Sequence, residues 1–168
     1  GMMEPWTVLS YVAANTKRVR LGSSICLVPQ RNPVYTAKQI TDVDFLSGGR
    51  VDFGVGAGWL KEEFDALQVP FERRGARTSD YIRVMQALWT MKRPSYQGEF
   101  YTLPECTQNP KPVQTPHPPI FFGGESKPAL RRVATQGQGW MGASMMPEDL
   151  PEKLALLDTL LAEHQRKR

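Results

Sequence analysis

The stretch Arg50–Phe64, R-V-D-F-G-V-G-A-G-W-L-K-E-E-F, decides how the chain is read. Val51, Phe53 and Val55 recur at period two, as one face of a strand does. Gly54, Gly56 and Gly58 follow where a strand hands over to a turn. Glycines there remove side chains and let a ligand approach the backbone, or they serve only a tight turn. Leu60, Phe64 and Leu67 then recur at helical spacing. The segment reads as strand, glycine turn, helix.

Working outward, the same unit repeats. Upstream, Pro5 opens a helix carrying Trp6, Leu9, Val12 and Ala13. A strand is predicted over 19–28, with Val19, Leu21, Ile25 and Leu27 on one face and Gly22, Ser24 and Cys26 on the other. The small, polar face suits a site. Asn32 is the predicted N-cap of a helix with Pro33 at its first position, with Ala37, Ile40, Val43 and Leu46 inward and Gly48-Gly49 ending it.

Downstream, Arg73, Arg74 and Arg77 lead into a helix with Tyr81, Met85, Leu88 and Trp89 inward. Residues 93–119 hold seven prolines and break the rhythm; a small hairpin is predicted over 95–101, with Gly98 in its turn. Such an excursion is compatible with a partner-facing loop or with a plain surface segment. The rhythm resumes with a strand at 120–122, Gly123-Gly124, a helix N-capped by Ser126, a strand at 139–142 and a final helix carrying Leu150, Leu154, Leu157 and Leu161. Alternating β and α units predict an α/β fold with a parallel sheet and helices outside. The strand–Gly-Gly–helix unit is either a capped turn or an anion site, since free N–H groups and the helix dipole meet there.

The 168 residues suffice for one domain, read as 2–168 with 93–119 an excursion within it; Gly1 reads as a remnant of expression. Net charge is +4 with dispersed basic residues, which argues against a nucleic-acid partner, and the Arg166–Arg168 tail reads as a frayed helix end. No apolar run reaches membrane-spanning length. Cys26 and Cys106 lack metal or redox spacing and fit a reducing, cytoplasmic compartment. The glycine turn is not a dinucleotide fingerprint, which would need glycine in place of Trp59. It is not a P-loop either, and no nucleophile elbow or H-E-x-x-H motif exists. His117 reads as a loop side chain, and Glu62 and Glu63, about 100° apart on a helix, do not form a carboxylate pair. No metal site and no catalytic acid or base are assigned. Three glycine- or serine-bearing strand ends without reactive groups point to backbone-mediated binding of a cofactor that brings its own chemistry.

The segments R-V-R-L-G-S-S-I (18–25), R-N-P-V-Y-T-A-K-Q-I (31–40), L-S-G-G-R-V (46–51), G-V-G-A-G-W-L-K-E-E-F (54–64), R-G-A-R (74–77) and I-F-F-G-G-E-S-K-P-A-L-R-R (120–132) resemble the bacterial luciferase-like monooxygenases. The flavin- or deazaflavin-dependent branch is the nearest in pattern. The resemblance implies a (β/α)8 barrel, of which this chain covers the middle part with about four strands. It implies an oxidoreductase or monooxygenase acting on a small-molecule substrate with FMN or the deazaflavin coenzyme F-420. The alternative is a truncated, non-catalytic relative serving as a flavin-binding or oligomeric structural protein. Ser24 and Ile25 match a bulged strand end, often with a cis peptide, that supports the cofactor ring. Gly56, Gly58 and Trp59 match the loop beside the ring, and Gly123, Gly124 and Ser126 the region that holds the cofactor phosphate. A partial barrel exposes sheet edges and one sheet face. A homodimer or higher homo-oligomer burying those surfaces is therefore expected.

Overall fold

The structure is a computed structural model that describes residues 3–143 and 145–167. Met2 and Arg168, the predicted ends of the domain, lie outside the described residues. The elements are α1 (Pro5–Asn15), β1 (Leu21–Gly22), β2 (Cys26–Leu27), α2 (Pro33–Ser47), β3 (Val51–Gly56), α3 (Lys61–Ala66) and α4 (Arg74–Thr90). A hairpin of β4 (Tyr96–Gln97) and β5 (Thr102–Leu103) follows, then β6 (Ile120–Gly123), α5 (Lys127–Gln136), β7 (Gly139–Met141) and α6 (Leu150–Glu163). β1 and β2 pair along β3, β3 pairs with β6 and β6 with β7, all parallel. Sequential parallel strands with helices on one face form part of a (β/α)8 barrel.

The core lies between sheet and helices. Val51, Phe53 and Val55 of β3 and Ile120 and Phe122 of β6 point into it, against Ile40, Val43, Ile82, Met85, Leu88 and Leu130. Phe53 is wedged between the rings of Trp6 and Trp89 at 5.9 and 6.1 Å. The alternate residues of these strands form the concave face.

The predicted strand over 19–28 is two short strands. Leu21 pairs with Val51 and Cys26 with Val55, so five steps on one strand match four on the other. The extra residue shifts side-chain parity. Leu21 and Cys26 are thus both buried, whereas Val19 and Ile25 are exposed, against the predicted faces. The Ser24–Ile25 peptide is cis.

Other differences are smaller. The second hairpin strand is Thr102–Leu103 rather than part of 95–101; Gly98 N–H still donates to the Tyr101 carbonyl across the turn. Leu46 and Leu67 are exposed, and Leu160, not Leu150, joins Leu157 and Leu161 in the core. Asn32 caps α2, accepting from the Val34 and Tyr35 N–H groups, and Gly48 ends it in the left-handed conformation.

Three other helix ends are closed by cations distant in sequence. Arg50 donates to the Ala13 and Thr16 carbonyls after α1, Lys111 to those of Leu88 and Met91 after α4, and Arg166 to those of Val133, Ala134 and Gly137 after α5. Arg166 is therefore docked, not part of a frayed end. The proline-rich excursion is tied down by two buried acids. Asp44 of α2 accepts from the Val113 and Gln114 N–H groups and the Gln114 side chain. Asp80 of α4 accepts from the Phe100 and Tyr101 N–H groups and the Tyr96 hydroxyl. No helix among the described residues is long and apolar enough to cross a membrane.

Two outcomes are expected. Asp44→Ala leaves two backbone donors unpaired and lowers unfolding free energy by about 3 kcal/mol, measured by urea titration. Burial pushes the Cys26 thiol up from 9.0 to about 11. Between those pH values the unfolded chain gives up a proton that the folded protein keeps, so stability falls as pH rises through the window. The Cys26 contribution is roughly 2–3 kcal/mol at most, and Cys26→Ala flattens the decline in melting temperature between pH 9 and 11.

Candidate functional site

The extra residue between β1 and β2 shapes the concave face at the C-terminal ends of the strands. It turns the Ser23 carbonyl toward Gly54, where an added Cβ would lie 1.8 Å from that oxygen, and Ser23 Oγ donates to the Gly54 carbonyl at 2.9 Å. It also lays the Ile25 side chain across the sheet. A Cβ on Gly56 would fall 1.9 Å from Ile25 Cδ1, and one on Gly123 3.1 Å from the same atom. Gly54 and Gly56 therefore make room for the neighbouring strand rather than leaving backbone bare for a ligand. Gly58 adopts φ +79°, and a Cβ there would meet the Phe64 ring at 2.8 Å.

Above this floor opens a groove of about 540 Å3. It brings together Ile25, Gly56, Gly58, Trp59, Gly123, Gly124 and Ser126 from three separate βα units. Ser24, the other predicted site residue, is exposed and does not line the groove. One wall is the N-terminus of α5. Ser126 caps it, accepting from Ala129 N–H at 3.3 Å, and Trp140 Nε1 donates to the Gly124 carbonyl at 2.9 Å, fixing the turn before it. At the rim, Trp59 is 79% exposed.

The groove also holds two arginines that the strand-end reasoning did not single out. Arg74 donates from Nε to the Gly58 carbonyl at 2.8 Å and lies 4.0 Å over the Phe71 ring. Its neighbour Arg132 makes no hydrogen bond or ion pair among the described residues. Burial first, and then the charge of Arg74, holds the Arg132 guanidinium below its ordinary value. Arginine remains a cation throughout the physiological range all the same. Gly75 creates its berth, since a Cβ there would lie 2.8 Å from Arg132 Nη1. Both arginines sit in the segments R-G-A-R and L-R-R, but only the tertiary fold brings them together. Arg73, at the edge, is paired with Glu99, and Glu125 accepts from Ala143 N–H at 2.5 Å. Glu62 and Glu63 do not line the groove; Glu63 accepts from Gln30. His117 lies away from it, its Nδ1 2.8 Å from the Pro118 carbonyl and its ring beside Trp89.

This cluster of glycine-bearing strand ends beneath one helix N-terminus coincides with a match over residues 1–168 to the family model described as luciferase-like monooxygenase. The chain belongs to that family. It is 35% identical over 140 residues to the FMNH2-dependent dimethylsulfone monooxygenase of Pseudomonas putida, covering 82% of this chain and 38% of that protein. Its fold superimposes on the monooxygenase RslO1 from Streptomyces bottropensis with TM-score 0.88 and 27% identity, over 98% of this chain and 51% of that one. The coenzyme F-420-dependent tetrahydromethanopterin reductase from Methanopyrus kandleri shares the fold with TM-score 0.85 and 21% identity, over 98% of this chain and 51% of that one. The chain spans about half the length of the relatives it matches. A relative by sequence is thus named as FMNH2-dependent, and the fold is shared with an enzyme named as coenzyme F-420-dependent.

The packing of Ile25 into the glycine floor is testable by a double-mutant cycle. Gly56→Ala overpacks the site and destabilises by about 1–3 kcal/mol in urea unfolding. In the Ile25→Ala background the clash is gone and the same substitution costs a few tenths of that, a coupling that adjacent sites show and distant ones do not.

Proposed function

We propose that this chain binds the phosphate end of FMN or of the deazaflavin coenzyme F-420 in the groove, and serves flavin- or deazaflavin-dependent oxidation of a small-molecule substrate. The observation that carries the reading is Arg132, without a hydrogen bond or ion pair among the described residues, beside Arg74 in the groove that the N-terminus of α5 also lines. Two cations without acidic partners among the described residues, a helix dipole and a Gly-Gly turn suit a phosphate group, which both cofactors possess. The fit extends to the ring. Ile25 offers an apolar surface across Gly56 and Gly123, and Trp59 offers an aromatic wall beside it.

The bound cofactor supplies the redox chemistry, hydride transfer or dioxygen activation. The residues of this chain bind and orient it. Arg132 and Arg74 neutralise the phosphate, and Ser126 holds the turn that presents backbone N–H groups. Arg74 also fixes the Gly58 carbonyl, which ties the anion site to the loop carrying Trp59. Ile25 excludes water from one side of the ring.

The titratable side chains lining the groove are three arginines and Glu125, and Glu125 is occupied by Ala143 N–H. That supports the second reading, in which this stretch holds cofactor without itself providing an acid or base for turnover.

Binding of FMN and of riboflavin, which lacks the phosphate, separates these ideas. FMN fluorescence is expected to quench on titration, with riboflavin binding at least about tenfold more weakly. Arg132→Ala should remove most of that difference while leaving riboflavin affinity unchanged. Equal affinity for FMN and riboflavin in the native chain would refute the phosphate site.

A further inference from the structure

Of the three arginines that line the groove, one already holds an anion. Arg73, next to Arg74, donates from Nη1 and Nη2 to the two carboxylate oxygens of Glu99, the second at 2.8 Å. Glu99 does not itself line the groove; it reaches Arg73 from the turn between β4 and β5. Arg74 and Arg132 have no acidic partner among the described residues, so Glu99 is what sets Arg73 apart from them.

The backbone on both sides of this contact is fixed. Asp80 accepts from the Phe100 and Tyr101 N–H groups, and a Cβ on Gly98 would lie 2.3 Å from Asp80 Oδ1, so the turn sits closely on α4. Phe100 lies 5.0 Å from each of two guanidinium groups, those of Arg73 and Arg77. Arg77 is buried and donates to the Pro70 carbonyl at 2.6 Å, which holds that cluster in place. Arg73 stands at the start of α4 in the left-handed conformation, φ 57°, and its carbonyl accepts from Arg77 N–H at 2.9 Å. A residue with a side chain keeps that conformation where its surroundings hold it there. The paired side chains, by contrast, stand in water: Arg73 is 60% and Glu99 54% exposed, and an ion pair so exposed is weak. A phosphate that entered beside Arg74 and Arg132 would offer Arg73 more negative charge than one carboxylate does, in a geometry that suits its planar fork.

We propose, resting on the phosphate site proposed for the groove, that Glu99 is a built-in competitor for the ligand: it holds Arg73 while the groove is empty and yields it to the phosphate of the bound cofactor. Arg73 is then a third cation on the ligand, and Glu99 lowers affinity without touching the ligand. The exchange is a rotation of two exposed side chains over a backbone that stays where it is.

The test is equilibrium titration of the full chain with FMN and with riboflavin, read by fluorescence, with circular dichroism melts to establish that each variant is folded. Glu99→Gln removes the competitor and is expected to tighten FMN binding at least about threefold while riboflavin affinity stays the same. Arg73→Gln should weaken FMN binding at least about threefold. In the Arg73→Gln background, Glu99→Gln should change nothing, because no guanidinium is left to release. A gain that persists in that background is plain repulsion between Glu99 and the ligand, and it overturns the exchange. So does FMN binding indifferent to Glu99→Gln in a chain that still prefers FMN to riboflavin. Equal affinity of the native chain for FMN and riboflavin removes the phosphate site itself, and the exchange with it.

Discussion

One extra residue in the first barrel strand sets the form of the whole concave face. Between Leu21 and Cys26 the chain takes five steps while β3 takes four from Val51 to Val55. Parallel pairing can resume beyond the mismatch only if the intervening residues leave the ladder. They leave it toward the barrel interior, carrying the Ser23 carbonyl over Gly54 and the Ile25 side chain over Gly56 and Gly123. A side chain at Gly54 would collide with the Ser23 carbonyl itself, and one at Gly56 would force the Ile25 side chain aside. The glycine turn and the bulge are therefore one feature written in two places, and the groove floor results from their fit.

The scaffold that holds this floor uses few ionic groups, each serving several backbone atoms. Arg50 stands at the N-terminal end of β3 and donates to carbonyls of Ala13, Thr16, Val19 and Ser47. It thereby ties α1, the approach to β1 and the end of α2 together. Asp44 and Asp80 do the same for the excursion between β4 and β6, each collecting two consecutive backbone N–H groups. Buried carboxylates are stable in such settings because charge-assisted hydrogen bonds replace water. This explains how a segment with seven prolines runs over a compact barrel without secondary structure of its own for much of its length.

Legibility in the sequence followed range. Features set within a few residues were readable: Asn32 and Ser126 as caps, Gly48 as the stop of α2, and the inward faces of β3 and β6. The side-chain faces after Gly22 were not, because alternation says nothing about a register shift imposed by a neighbouring strand. Leu46 and Leu160 show the same limit, since helical period fixes a face but not how wide the covering layer is. The seven groove residues were legible only as members of family motifs, as was the cis Ser24–Ile25 peptide, and the bulge leaves the Ser24 side chain outside the groove. Arg132 escaped notice for a different reason. Its role depends on a vacancy at Gly75, on another helix, and nothing near Arg132 in the chain announces it.

The two groove arginines also say what kind of site this is. Like charges brought together in a partly desolvated place oppose folding unless something else holds them there. Arg74 is held by the Gly58 carbonyl and the Phe71 ring, so its position is fixed with no anion present. Arg132 has no such tether among the described residues, and burial together with its neighbour disfavours its charge. On the proposed reading, the ligand's negative charge is the partner of that pair. The arginines, the N-terminus of α5 and the Gly-Gly turn line the same groove as Ile25 and Trp59. On the proposed reading, a molecule that carries both a phosphate and a flat apolar ring uses both sets of groups at once, and a simple inorganic anion uses only the arginines and the helix end.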